Sequence, residues 1–328
     1  MKKKNARQLT LQKQLPGYAF MLPGFIFILA YMAYPLLYSL VLSFTDYNFM
    51  YDSAPKFAGL GNYIHLFKDR YFITALRNTA VFSPGFFPSV IILSLIIALL
   101  LDQGVRASSF FRTCIFLPVI VPLSLTGIIF QWILNERYGL LNWFLTSVLH
   151  TNLAQNWLGD ANWAMVSIIV VSLWKNIGML VIMFMAGLQA IPNDLIEASR
   201  IDGATAMQRI FRIILPNLKE SFVICGIWAI IQSIKVFEQP YIMTSGGPGT
   251  ATMTLYHYTY ISAFKYMDVG YASSIAYFMG VVILLLSFLN MYINRSDDKK
   301  EASEARRVAR REARREKRFR ALDEEVGV

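Results

Sequence analysis

Six long apolar segments constrain this chain more than any other feature. A hydrocarbon core of about 30 Å is crossed by about 20 apolar residues in a helix. Six stretches reach that length, at roughly 17–44, 78–101, 113–134, 162–189, 221–243 and 269–294. Four of them contain no charged residue, and charged residues make up only 16% of the chain. One such segment could be a buried helix of a soluble protein, but six predict an all-α membrane protein with six transmembrane helices.

Basic residues are unequally distributed between the two sides that these spans define. The N-terminal segment, the connections near 102–112 and 190–220, and the C-terminal tail together carry 23 lysines and arginines, whereas the other connections carry six. Cytoplasmic segments are enriched in Lys and Arg, so both termini are predicted to be cytoplasmic. The predicted organisation is a cytoplasmic segment (1–16), a transmembrane domain (17–294) and a charged cytoplasmic tail (295–328). The net charge of +10 follows from this bias and does not argue for nucleic acid.

The connection from Ile191 to Pro216 contains several local structure signals. Pro192 signals a helix start, and a short helix is predicted from Asp194 to about Asp202. Gly203 then supplies a bend, because glycine takes φ > 0 without a side-chain clash. A second helix is predicted from Ala204 to about Leu215. By pattern alone, this helix–bend–helix is an amphipathic connector that lies on lipid.

The residue identities in this connection resemble the cytoplasmic EAA loop of ABC importer permeases. The resemblance is carried by Glu197-Ala198, Gly203 four residues after Ser199, Ile213 ten residues after Gly203, and Leu215-Pro216. Ser199 stands where the motif usually has its second alanine. The resemblance implies a type I ABC importer permease fold, in which this loop docks on an ATPase and Glu197 faces a cleft of that partner. The implied ATPase-coupling residues are Glu197, Ala198, Ser199, Asp202, Gly203, Ala204, Ile213, Leu215 and Pro216.

Polar residues inside the apolar segments are candidates for a translocation path. Lys175 and Asn176 lie near the middle of the fourth segment, and Gln232 and Glu238 lie in the fifth. Ionisable groups at membrane depth are costly and usually face a bundle interior or a cavity. These four residues are therefore predicted to lie near the path. An interfacial pair with Lys235 is an alternative for Glu238.

Two proline pairs with the same spacing occur in the second and third segments, Pro84/Pro88 and Pro118/Pro122. Prolines four residues apart fall on one helix face, and the backbone groups they free cannot be satisfied by lipid. Each pair therefore predicts either a broken helix beside a cavity or a packing kink.

A glycine-rich external stretch, Gly246-Gly247-Pro248, follows the fifth segment and predicts a tight turn. Together with its surroundings, it resembles the corresponding region of maltose-type carbohydrate-uptake permeases, which commonly have Asp where Glu238 stands. This wider resemblance covers residues from about 20 to 294. It implies that Gly246, Gly247 and Pro248 contact an extracytoplasmic solute-binding protein or cap the outer pathway.

The sequence contains no G-x-x-x-x-G-K-[ST] motif and no metal-ligand cluster, so we expect no cofactor or metal and no ATP binding through a P-loop. By the resemblance, a separate ATPase dimer hydrolyses ATP, a homologous second permease completes the pore, and a binding protein delivers a sugar or oligosaccharide through the cell membrane. The chain itself is then not an enzyme. A permease for a non-sugar solute such as glycerol phosphate, an ion-coupled secondary transporter and a membrane anchor are the alternatives. The charged tail is expected to be solvated or to rest on anionic lipid.

Overall fold

The computed structural model describes residues 17–18, 20–102 and 108–294, and these residues are largely helical. The helices are α1 (Phe20–Ser43), α2 (Gly61–Leu66), α3 (Arg70–Asp102), α4 (Ser108–Ile120), α5 (Leu123–Ile133), α6 (Leu140–Trp143), α7 (Ala161–Gln189), α8 (Asn193–Ile201), α9 (Ala206–Asn217), α10 (Lys219–Ile234), α11 (Leu255–Tyr260) and α12 (Val269–Asn294). Two short strands, β1 (Thr45–Asp46) and β2 (Lys56–Phe57), pair antiparallel.

Four continuous helices, α1, α3, α7 and α12, are long and apolar enough to cross a membrane. Two bent pairs complete the set. The axes of α4 and α5 differ by 101°, and those of α9 and α10 differ by 70°. By length and composition each pair passes as one span, which gives up to six spans. In the second pair, α10 carries the fifth apolar segment, whereas α9 lies mostly in the connection from Ile191 to Pro216. The predicted fold class, an all-α membrane protein, is confirmed.

The third and fifth spans are both interrupted. The third breaks between Ile120 and Leu123, at Pro122, whose nitrogen carries no hydrogen to donate; a broken helix is one of the two outcomes that this proline pair predicts. The fifth is predicted as one segment from 221 to 243, but α10 ends at Ile234 and a separate helical turn covers Pro240–Thr244. Pro240 cannot donate an N–H to the Val236 carbonyl four residues before it, and the hydroxyl of Thr254 donates to that carbonyl at 2.7 Å.

The described residues divide into two compact units. The first falls within Met1–Leu76 and Leu255–Gly280, and the second within Arg77–Thr254 and Val281–Val328. Because this division pairs distant parts of the chain, it reflects packing rather than chain order. The predicted N-terminal segment (1–16) and charged tail (295–328) lie outside the described residues.

Asp69 organises the part of the first unit where α3 begins. Its carboxylate accepts hydrogen bonds from the hydroxyls of Tyr258 (2.6 Å) and Tyr271 (2.7 Å) and from the backbone N–H of Tyr71 (2.8 Å), at the start of α3. Burial alone would raise the pKa of Asp69, but these donors outweigh it and hold the pKa below its ordinary value. The cap also explains why α3 begins at Arg70, inside the stretch predicted to be an external connector.

The core of the second unit is built around α7. Its members share burial and apolar side chains, and they include Phe82, Phe86 and Val90 of α3, Ile168, Leu180 and Phe184 of α7, and Leu218, Cys225 and Ala229 at α10. Phe184 packs edge-on against Phe222, with ring centroids 5.2 Å apart. The central position of α7 places its polar residues where they can meet α4, α5 and α10.

Candidate coupling loop and translocation cavity

The connection between α7 and α10 folds as the predicted helix–bend–helix. The helix α8 covers Asn193–Ile201 and begins after Pro192, and α9 covers Ala206–Asn217. Thr205 starts α9 with a capping box, in which its hydroxyl accepts from the Gln208 N–H and the Gln208 side chain accepts from the Thr205 N–H. Both predicted helices are therefore present, shifted by one or two residues.

Gly203 forms the bend between α8 and α9. Its φ is +75°, and its N–H donates to the Arg200 carbonyl at 3.1 Å. The N–H of Ala204 donates to the Ser199 carbonyl at 3.0 Å. These two bonds define a Schellman motif, in which the residue after the helix adopts the left-handed conformation that glycine tolerates best. The predicted bend at Gly203 is confirmed.

The side chains of this loop divide into an exposed and an inward set. Glu197, Ala198 and Asp202 are exposed, whereas Ser199 is buried and its hydroxyl donates to the Ile196 carbonyl at 2.6 Å. Ser199 is therefore not on the surface that a partner would approach. Exposed apolar side chains accompany Glu197, namely Leu195, Ile201, Met207 and Phe211, with Ile201 87% exposed. Exposed apolar residues beside a carboxylate are typical of a surface that contacts either another protein or the membrane.

The last predicted coupling residues lie where α9 joins α10. Ile213 and Leu215 are half-buried, Pro216 is exposed, and the chain then turns by 70°. The two helices that flank the loop also meet closely. A Cβ at Gly187 of α7 would lie 1.9 Å from Oγ of Ser221 in α10. The base of the loop is therefore a tight crossing of α7 and α10.

A polar cavity of about 80 Å³ lies inside the second unit, and all four predicted path residues line it. Its complete lining is Phe82, Phe86, Leu123, Ser172, Lys175, Asn176, Gln232, Lys235, Val236, Glu238 and Gln239. Within the described part of the chain no ion pair joins Lys235 to Glu238, although both face this cavity. The four residues predicted to lie near a translocation path therefore border one cavity, and their role in translocation stays a prediction.

Sequence reasoning missed Ser172, Lys235 and Gln239. Helical spacing could have found Ser172, because it lies one turn before Lys175 and Asn176 on the same face of α7. Its hydroxyl is buried and has no hydrogen-bond partner. A buried polar atom without a partner is costly, so this hydroxyl is available to a molecule that enters the cavity.

Lys175 makes three hydrogen bonds to backbone. It is 7% exposed, and its ammonium donates to the carbonyls of Pro118 at 2.7 Å, Val119 at 3.0 Å and Val121. These carbonyls belong to the break between α4 and α5. Lys175 therefore joins the middle of α7 to the bent span and at the same time borders the cavity.

The turn after α10 is rigid and internally hydrogen-bonded. Gly246 is buried with a φ of +83°, and Gly247 and Pro248 are half-buried. The hydroxyl of Thr252 donates to the Gly247 carbonyl at 2.8 Å. The side-chain amide of Asn78 donates to the Thr250 carbonyl at 2.7 Å. Gly246 thus shapes the turn from inside, and a partner would meet the half-buried residues after it.

One family profile matches residues 90–300, and its family is described as "Binding-protein-dependent transport system inner membrane component". The chain belongs to this family. The matched residues include the candidate coupling loop, the turn at Gly246–Pro248 and most of the residues that line the cavity. This permease is therefore a multi-pass protein of the inner membrane.

Curated relatives and solved structures agree with this membership. The probable ABC transporter permease protein YurN of Bacillus subtilis is 36% identical over 85% of this chain and 96% of its own length. The lactose transport system permease protein LacF of Rhizobium radiobacter is 34% identical over 85% of this chain and 94% of its own. A crystal structure of a bacterial ABC transporter involved in the import of the acidic polysaccharide alginate aligns with a TM-score of 0.75, covering 89% of this chain and 99% of that one at 22% identity. The permease thus has an ABC importer permease fold.

Proposed function

We propose that this permease forms half of the translocation pathway for a sugar or oligosaccharide, in an ATP-driven importer served by an extracytoplasmic binding protein. The observation that carries the proposal is the exposed α8–Gly203–α9 loop in a chain of this family. Relatives named for lactose, trehalose/maltose and multiple-sugar transport, each at least 31% identical over more than four-fifths of the chain, support the solute class.

The chemistry of the cavity supports a hydroxylated solute. Ser172, Asn176 and Gln232 offer uncharged donors and acceptors, which suit sugar hydroxyls. The rings of Phe82 and Phe86 supply an apolar wall. Ligand sites commonly enclose about 300–1,000 Å³, well above the 80 Å³ found here. The cavity is therefore one wall of a larger path that a homologous second permease completes.

Energy comes from a separate ATPase dimer docked on the loop from 191 to 216. Exposed Glu197 pairs with a basic residue of a cleft on that partner, and the exposed apolar side chains of α8 and α9 pack around it. The bend at Gly203 sets the angle between α8 and α9, and therefore the orientation in which they dock on the ATPase. Closure of the ATPases on ATP then displaces α8 and α9. Because these helices are joined to α7 and α10, α7 and α10 move with them.

The outer face receives the binding protein. The turn at Gly246, Gly247 and Pro248 contacts that protein or caps the outer pathway, and Glu238, which precedes it in the chain, lines the cavity. Both termini lie in the cytoplasm, on the same side as the coupling loop. An ion-coupled transporter explains neither the loop nor membership of a binding-protein-dependent family.

Reconstitution tests the proposal. The permease is co-expressed with a second permease and the ATPase of the same system, and the complex is purified and placed in proteoliposomes. We expect ATPase activity to rise when sugar-loaded binding protein is added, and labelled neutral sugar to accumulate only with ATP. If glycerol phosphate accumulates and sugars do not compete with it, the solute is glycerol phosphate and not a sugar. Uptake driven by an ion gradient without ATP would refute the importer mechanism itself.

A further inference from the structure

The ammonium of Lys175 is fully occupied by backbone. An ammonium has three N–H donors, and they bind the carbonyls of Pro118, Val119 and Val121. No donor remains for a solute. Although Lys175 borders the cavity, its chemistry is directed at the junction between α4 and α5.

The bound carbonyls are ones that the helix itself cannot satisfy. In an α-helix the N–H of residue 122 would donate to the carbonyl of residue 118, but residue 122 is proline and has no N–H. The chain also turns by 101° at this point, so the last carbonyls of α4 lose their continuation. A cation at a helix C-terminus is favoured by the helix dipole. Lys175 supplies both the missing donors and the favourable charge.

Neighbouring positions of α7 contact both halves of the broken span. The ring of Trp174 packs edge-on against Phe130 of α5, with centroids 5.0 Å apart. On the other side, a Cβ at Gly178 would lie 2.4 Å from the Ile115 carbonyl of α4. One turn of α7 therefore contacts α4, the junction and α5 in sequence.

A second proline pair in the same chain provides an internal comparison. Pro84 and Pro88 have the same spacing as Pro118 and Pro122, yet α3 runs through them without a break. Proline spacing alone therefore does not produce the 101° bend. The pair at the bend is the one beside a buried ammonium, which binds the Pro118 carbonyl and two carbonyls between Pro118 and Pro122.

We propose that Lys175 is a positioning residue, which holds the α4–α5 break open and thereby sets the cavity wall at Leu123. Leu123 is the first residue of α5 and lines the cavity directly after the junction. The substitution of Lys175 therefore displaces this wall without removing a group that touches solute. This proposal is independent of the identity of the solute, and its test requires no transport.

The test measures local exposure at position 123. A Leu123→Cys reporter is introduced into the full-length permease with Cys114→Ser, because Cys114 is exposed while Cys225 is buried. The rate of labelling by a small water-soluble maleimide is measured in membrane vesicles. Hydrogen bonds to a charged group are strong enough that their loss should raise the labelling rate about tenfold or more in Lys175→Met. Lys235→Met is the matched control, and we expect it to change the rate less than about twofold, since Lys235 lines the same cavity and makes no such carbonyl contacts.

A double-mutant cycle tests the cause. Pro122→Ala restores an N–H that can donate to the Pro118 carbonyl, so Lys175→Met should lower the melting temperature less in the Pro122→Ala background than alone. Equal labelling in Lys175→Met and Lys235→Met, or additive effects of Lys175→Met and Pro122→Ala, would overturn the proposal. If Lys175→Met does not assemble, the labelling rate at position 123 is measured in Lys175→Arg instead. Arginine keeps a cation with N–H donors, so this variant is expected to assemble and to label near the parent rate. A tenfold rise in its labelling rate would count against the assignment.

Discussion

Substitution of Gly203 is the most direct test of the coupling loop. The backbone there has a φ of +75°, and a Cβ built on it meets no atom within 4 Å. The Cβ of a larger residue would therefore encounter no neighbour. Its whole effect on this loop would come from the backbone conformation that closes the Schellman motif.

The expected magnitude follows from that conformation. An L-residue in the left-handed region costs about 1–2 kcal/mol, and a β-branched residue such as valine is a genuine outlier there. A cost of this size lowers the ratio of the bent loop to its other conformations by about 5–30-fold. Since only the bent loop is proposed to dock, the apparent affinity for the ATPase should fall, by at most the same factor. Asparagine adopts the left-handed conformation with far less strain.

The assay compares Gly203→Val with Gly203→Asn as a matched control. Each variant is purified through a tag on the permease, and the amount of ATPase retained is measured over a series of ATPase concentrations. We expect the valine variant to require more ATPase for equal retention, by a factor of up to about 30, and the asparagine variant to stay near the parent. The yield of permease should be equal in all three, because the loop lies outside the long apolar spans. Full ATPase retention and normal uptake by Gly203→Val would show that the loop is only a connector on lipid.

Three further predictions address topology, the outer turn and acid stability. A cysteine at Met207 should resist membrane-impermeant maleimide in intact cells, and labelling from outside would contradict the proposed orientation. Gly246→Ala should weaken the stimulation of ATPase activity by binding protein more than Gly247→Ala does. The reason is that Gly246 has a φ of +83°, whereas a Cβ at Gly247 would only approach the Thr244 carbonyl to 3.1 Å. Equal effects of the two substitutions would contradict a role for the turn shape. Because the pKa of Asp69 is lowered in the folded chain, its carboxylate should stabilise the fold above about pH 4, the ordinary range of Asp, and lose this contribution as pH falls further. Thermal melts should therefore show a lower melting temperature for Asp69→Asn at neutral pH and a difference that shrinks toward acid, and a constant difference would contradict the cause.

Local signals predicted the coupling loop well. Pro192, Gly203 and the periodicity between them act over one or two helical turns, and the structure shows α8, the bend and α9 within two residues of the expected bounds. The inward position of Ser199 was not predictable in the same way. Small polar residues are compatible with either face of a short helix, and its burial depends on how α8 lies against the rest of the chain.

The break in the third span shows why the remaining features required tertiary information. The pairs Pro84/Pro88 and Pro118/Pro122 look alike in sequence, but only the second accompanies a bend of 101°. The difference lies more than fifty residues away, at Lys175. Similarly, the Val236 carbonyl, just after the end of α10, finds its donor in the hydroxyl of Thr254. Features that depend on a distant donor leave no trace in local spacing.

The position of the cavity relative to the loop connects the two candidate sites. Lys175 lies fourteen residues before the end of α7, and Gln232 lies thirteen residues after the start of α10. At about 1.5 Å per residue, both are about 20 Å from the loop along their own helices. The loop therefore joins two helices that carry facing walls of the same cavity at matching depth, and these helices cross tightly near its base at Gly187. A displacement of the loop would consequently move both walls together. Because Lys175 of α7 binds carbonyls at the α4–α5 junction, α4 and α5 would move with α7.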